Sequence, residues 1–104
     1  MPVRIQLSRA KGWRMPENTV SVARPTKWGN PYRVGAIDAR TGEIMDADTA
    51  VERFLAKVLR QGREAEIRRE LRGKNLACWC KPGEPCHADV LLKIANDPSH
   101  GATV

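Results

Sequence analysis

A chain of 104 residues with a net charge of +6 has room for one compact domain and not two. Its 41% hydrophobic and 29% charged residues suit a soluble globular protein. No apolar run approaches the roughly 20 residues of a membrane span, which excludes a membrane protein of the helical kind. The charge excess lies entirely in residues 1–40, where eight Lys/Arg oppose Glu17 and Asp38, while residues 41–104 carry ten of each sign. A localised positive field attracts phosphates, whether of nucleic acid or of a nucleotide, and serves equally as a soluble basic surface. The opening residues MPVRIQLSRAKGW lack the apolar core of a secretory signal. The reading is therefore a cytoplasmic protein, in a compartment where clustered Cys and His point to metal or reactivity before disulfides.

In chain order, Val3–Leu7 alternates apolar and polar residues and predicts a strand. Ser8–Asn18 mixes Gly, Pro and charge and predicts a loop. Thr19–Ala23 is β-branched and alternating, a second strand. ARPTKWGNPY (Ala23–Tyr32) holds too many turn residues for a helix. Val34–Met45 reads as a hairpin turning near Gly42. Val51, Phe54, Leu55, Val58 and Leu59 form an amphipathic helical stripe, with Thr49 and Glu52 as a capping box and Gly62 as its end. Glu64–Gly73 predicts a shorter helix, Ile67 and Leu71 inward, with acidic residues leading and basic ones trailing. Asn75–Cys80 predicts a buried strand. A last helix follows, with Pro85 in its first turn and Val90, Leu91, Ile94 and Ala95 inward, stopped by Asp97-Pro98. The sum is a mixed α/β domain over residues 1–98, a small mixed sheet with about three helices, and a flexible tail over 99–104.

The segment ACWCKPGEPCHADVLL (Ala77–Leu92) holds every cysteine in the chain. Cys78 and Cys80, two apart on a strand, face one side and Trp79 the other. Cys86 and His87 fall in the first turn of the next helix. Three readings follow. As a thiol site, Cys86 meets the positive end of a helix, which lowers its pKa and makes it a nucleophile, with His87, Lys81 and Cys80 beside it. As a metal site, Cys78, Cys80, Cys86 and His87 make a Cys₃His zinc set. Zinc requires thiolates roughly 3.8 Å apart, whereas residues two apart on a flat strand start about 6.6 Å apart, so the strand must bend at Trp79. As plain packing, Cys78 is a small core residue and His87 a helix-cap donor. Asp89 orients His87 or simply favours the helix start by its charge.

In the other block, Gly29 permits close backbone approach, Asn30 offers donor and acceptor, and Trp28 and Tyr32 offer flat faces. Arg24 and Lys27 supply charge for a phosphate or carboxylate. The segment suits a planar anionic small molecule; the alternative is a rigid turn whose Trp28 plugs the core.

RPTKWGNPY, a helix, and then LRGKNLACWCKPGEPCHADVLLKIAN resemble the domain of unknown function 4326 family, small proteins of bacteria and phages. The resemblance covers roughly residues 20–96. Its signature positions correspond to Arg24, Lys27, Trp28, Gly29, Asn30 and Pro31, then Cys78, Trp79, Cys80, Cys86, His87 and Asp89. It implies that the two blocks share one site, and it brings no reaction with it.

The leading expectation is a pocket for a nucleotide-like, phosphate-bearing small molecule, with hydrolase or transferase chemistry on nucleotides or nucleosides. Arg24 and Lys27 hold the anion and Trp28, Gly29, Asn30 and Asp89 complete the ligand site. Cys86, His87 and Cys80 line the reactive end. The alternative is a zinc-stabilised, non-enzymatic module that binds nucleic acid through the basic first part. A metal-free nucleic-acid binder ranks below both, because no helix presents a basic face.

Overall fold

The computed structural model describes residues 2–24 and 26–97, so Pro25 and the expected tail lie outside the described residues. Its elements run β1 (Arg4–Gln6), β2 (Thr19–Ser21), α1 (Ala47–Gln61), α2 (Glu64–Leu71), β3 (Asn75–Cys78) and α3 (His87–Ala95). The chain is thus an α/β domain of three helices and a three-stranded sheet, ordered β1-β3-β2. β3 takes the centre because it alone is apolar on both faces: Leu76, Ala77 and Cys78 are all buried, whereas the edge strands are only partly covered. Both edges pair with it in parallel, Ile5 opposite Ala77 on one side and Val20 opposite Leu76 on the other. The antiparallel element expected of a mixed sheet lies outside it, as a single bridge between Ile37 and Ile44. That hairpin is tied to α1 by Asp38, whose carboxylate accepts from Arg53 Nε at 2.8 Å and Nη2 at 2.7 Å.

α1 begins three residues before the predicted box. Asp46 is its N-cap, its carboxylate accepting from the Thr49 N–H at 2.8 Å. A carboxylate caps as well as a hydroxyl and adds charge against the helix dipole, so it wins over Thr49. Gly62 ends the helix in the left-handed region, its N–H returning to the last carbonyls. The buried stripe is narrower than predicted: Ala50, Phe54 and Val58 point inward, while Leu55 and Leu59 are exposed. Ile67 and Leu71 of α2 and Ala88, Leu91 and Ala95 of α3 complete one core with Val22, Trp28 and Leu76. Each large apolar side chain fully buried there contributes roughly 1.5–3 kcal/mol. α3 starts later than expected: Cys86 is its N-cap, His87 its first residue, and Pro85 lies outside it.

Candidate functional site

The site grows from the point where β3 stops. The strand ends at Cys78, and Trp79 and Cys80 form a bend rather than two further strand residues. That bend folds Cys80 back, while the KPGE loop brings Cys86 to the start of α3. The sulfurs of Cys78, Cys80 and Cys86 consequently lie within 4.8 Å of one another, and those of Cys78 and Cys86 are 3.1 Å apart. The loop is held shut by Arg4, which donates to the carbonyls of Glu84 (2.8 Å) and Lys81 (2.9 Å) and pairs with Asp89 at 2.8 Å.

At 3.1 Å, the two buried sulfurs share a proton. The contact pulls the Cys78 thiol down to about 6 and pushes Cys86 up. The N–H of Ala88 at the helix start favours a charged Cys86, but the contact with Cys78 and burial outweigh it. Cys86 is 2% exposed and its thiol is pushed up, whereas its helix position suggests an acidic, accessible one. Burial also raises Cys80, the one half-buried member.

His87 is buried against the edge of Phe54, ring centroids 5.2 Å apart. Its Nε2 lies 2.7 Å from the carbonyl of Val22. A carbonyl only accepts, so Nε2 carries the proton and Nδ1 keeps its lone pair. Burial lowers the pKa below its ordinary value of 6.5, so the ring is neutral. Nδ1 faces Cys86 Sγ at 3.7 Å.

These groups line one end of a cavity of about 430 Å³. Its other walls come from the first block and the start of α1: Ala23, Arg24, Asn30, Tyr32, Arg33, Val34, Ala47, Ala50 and Val51. The two motif blocks, far apart in sequence, thus meet around one space off the carboxyl ends of parallel strands, where ligands of α/β folds commonly bind. A second cavity of about 470 Å³, lined by Arg4, Gln6, Asp89 and the 82–85 loop, touches the first through Cys80.

Several of the predicted ligand residues have protein partners. Lys27 points away to α2, donating to Glu70 at 2.8 and 3.0 Å and lying 3.7 Å from Glu66. Trp28 is 4% exposed in the core, the plug rather than the platform, with Lys27 and Arg63 over its faces. Asn30 lines the cavity, but its amide is consumed internally: Nδ2 donates to the Ala50 carbonyl and Oδ1 accepts from the Tyr32 N–H. Asp89 is engaged by Arg4 in the second cavity and does not orient His87. Gly29 fulfils its expected part, since a Cβ there would lie 2.9 Å from Arg24 Cγ and 3.0 Å from its Cα. That close approach seats Arg24, whose Nη1 donates to the Asn30 carbonyl at 2.7 Å. Sequence reasoning missed Arg33 at the rim and Arg4 behind the loop; Trp79, a signature position to which it gave no role, lines the cavity half-exposed beneath the Arg9 guanidinium. Arg33 follows the RPTKWGNPY block directly, and that adjacency was the available signal.

Fold and site together define a small α/β domain with a cysteine–histidine cavity at the end of a parallel sheet. The chain belongs to the domain of unknown function family DUF4326, whose model matches residues 5–97. No curated protein and no solved structure shows significant similarity to it. No described helix is long and apolar enough to cross a membrane.

Proposed function

We propose that the cavity binds a phosphate-bearing, nucleotide-like small molecule and that the domain acts on it as a hydrolase or transferase. The observation that carries this reading is the convergence of two unlike blocks around one space: Arg24, Arg33 and the flat face of Tyr32 from the first, Trp79, the sulfurs and His87 from the second. Guanidinium groups pair with phosphate oxygens in bidentate geometry. Aromatic rings suit a base, and a volume of about 430 Å³ falls within the usual range for small-molecule sites.

The test is calorimetric titration with nucleoside mono-, di- and triphosphates and inorganic phosphate, with chromatography of the products. Arg33 is exposed and, among the contacts described, ties down no other element, so Arg33→Ala isolates the anion contact. Losing one charge-assisted contact of about 1.5–3 kcal/mol weakens binding roughly 10- to 100-fold. Absence of binding by every compound defeats the proposal.

A further inference from the structure

We infer that Cys78, Cys80, Cys86 and His87 bind one divalent ion of the zinc class at the sulfur-lined end of the cavity. The inference stands on the geometry of this corner and does not need the nucleotide reading.

The first support is that the geometric objection to such a site is gone. A flat strand separates Cys78 and Cys80 too far, but β3 ends at Cys78 and the chain bends at Trp79. The three sulfurs now fall within 4.8 Å, against roughly 3.8 Å between thiolates on a tetrahedral zinc with Zn–S near 2.3 Å. Cys78 and Cys86, at 3.1 Å, need to separate by roughly 0.7 Å to accept it.

The second support is independent of the sulfurs. Metal-binding histidines almost always donate their other ring nitrogen to a carbonyl or carboxylate, which fixes tautomer and orientation. His87 does so, through Nε2 to the buried Val22 carbonyl at 2.7 Å. The remaining nitrogen, Nδ1, carries no proton and lies 3.7 Å from Cys86 Sγ, a contact that a metal ion would replace. With Zn–N near 2.05 Å, the sulfur–nitrogen edge of a tetrahedron is roughly 3.6 Å.

The third support is the loop that carries Cys80 and Cys86. Arg4 holds it closed by donating to the Glu84 and Lys81 carbonyls and pairing with Asp89 at 2.8 Å, so the two thiols reach the corner on a fixed frame. Sulfur and imidazole donors together select zinc, or cobalt as its probe, over magnesium or calcium. Binding displaces the thiol protons into solvent, so it strengthens as pH rises.

The experiment is titration of reduced, chelator-treated full-length protein with Co²⁺, read by visible absorption, then displacement by Zn²⁺ and metal analysis of the untreated protein. One metal per chain, a tetrahedral cobalt spectrum with sulfur charge-transfer bands, and release of protons are expected. Cys80→Ser, at the least buried of the three cysteines, removes charge-transfer intensity and weakens binding. His87→Ala keeps the sulfur bands but weakens binding by about tenfold or more. Zn²⁺ also shields the wild-type thiols from a thiol reagent, a readout that no variant's folding affects. Sub-stoichiometric metal with no cobalt bands overturns the site, as does unchanged cobalt binding in Cys80→Ser. An unchanged spectrum and affinity in His87→Ala overturn the fourth ligand. Nucleotide binding that survives with no metal taken up defeats this inference alone; metal uptake without any nucleotide response defeats the pocket reading alone.

Discussion

Gly29→Ala is the sharpest single-atom probe of how the first block is built. The added methyl would stand 2.9 Å from Arg24 Cγ, 3.0 Å from its Cα and 3.1 Å from its amide nitrogen. Two of those three atoms are backbone, so a rotamer change in Arg24 cannot relieve the contact. The 23–30 turn has to open instead. It is closed by the Gly29 N–H to Thr26 carbonyl bond at 3.0 Å and by the Arg24–Asn30 bond at 2.7 Å. Overpacking of this kind costs about 1–3 kcal/mol. For a domain near 100 residues each kcal/mol lowers Tm by about 4–8 °C, so a fall of about 4 °C at least, and up to about 24 °C, is expected. Moving Arg24 also withdraws a cation from the cavity, so ligand affinity falls along with stability. Differential scanning calorimetry and ligand titration read the two effects separately. A Gly29→Ala protein with wild-type Tm and wild-type affinity refutes the claim that this glycine seats Arg24.

Other substitutions test the rest of the assembly. Asn30→Ala takes the acceptor from the Tyr32 N–H and the extra donor from the Ala50 carbonyl and is expected to cost about 1–3 kcal/mol by urea denaturation. Phe54→Ala removes a ring 2% exposed that abuts His87, a loss of about 3–5 kcal/mol. Lys27→Ala breaks half-exposed pairs with Glu66 and Glu70, costs about 0–1 kcal/mol and leaves ligand affinity unchanged; a large loss of affinity would put Lys27 back in the site. His87 titrates below its ordinary 6.5 because it is buried. Below that pH the unfolded chain takes up a proton that the folded one refuses. Its contribution is therefore complete above about pH 6.5 and is lost as pH falls toward the folded value. Melting chelator-treated protein across this range should show Tm falling on the acid side, with a shallower slope in His87→Gln; identical slopes contradict the burial of a neutral ring.

The periodic helices were legible because their signal is local: Phe54 and Val58, Ile67 and Leu71, Leu91 and Ala95 each repeat at helical spacing and each pair is buried. The cysteine corner was legible as a place. Its geometry was not, because the end of a strand at Cys78 rather than Cys80 depends on how far its neighbours extend, and β1 and β2 are only three residues long. Trp28 shows why turn motifs mislead. An aromatic among Gly, Asn and Pro reads the same whether it stacks on a ligand or fills the core, and only the position of α1 and α2 decides. The ion pairs of Lys27 and Asp89 were illegible for a related reason: their partners, Glu70 and Arg4, are 43 and 85 residues distant and share no spacing with them. What survives from the sequence is the meeting of the two blocks, which the resemblance implied and the cavity displays.

The most direct measurement of the central claim is amide chemical-shift mapping of the full chain during titration with a nucleoside 5′-monophosphate. A single saturable ligand in the cavity predicts that signals of Arg24, Tyr32 and Arg33 move together with those of Trp79, Cys80 and His87 and yield one common Kd. Shifts confined to one of these groups, shifts centred instead on the outer face of α2, or a spectrum that does not respond at all would contradict it.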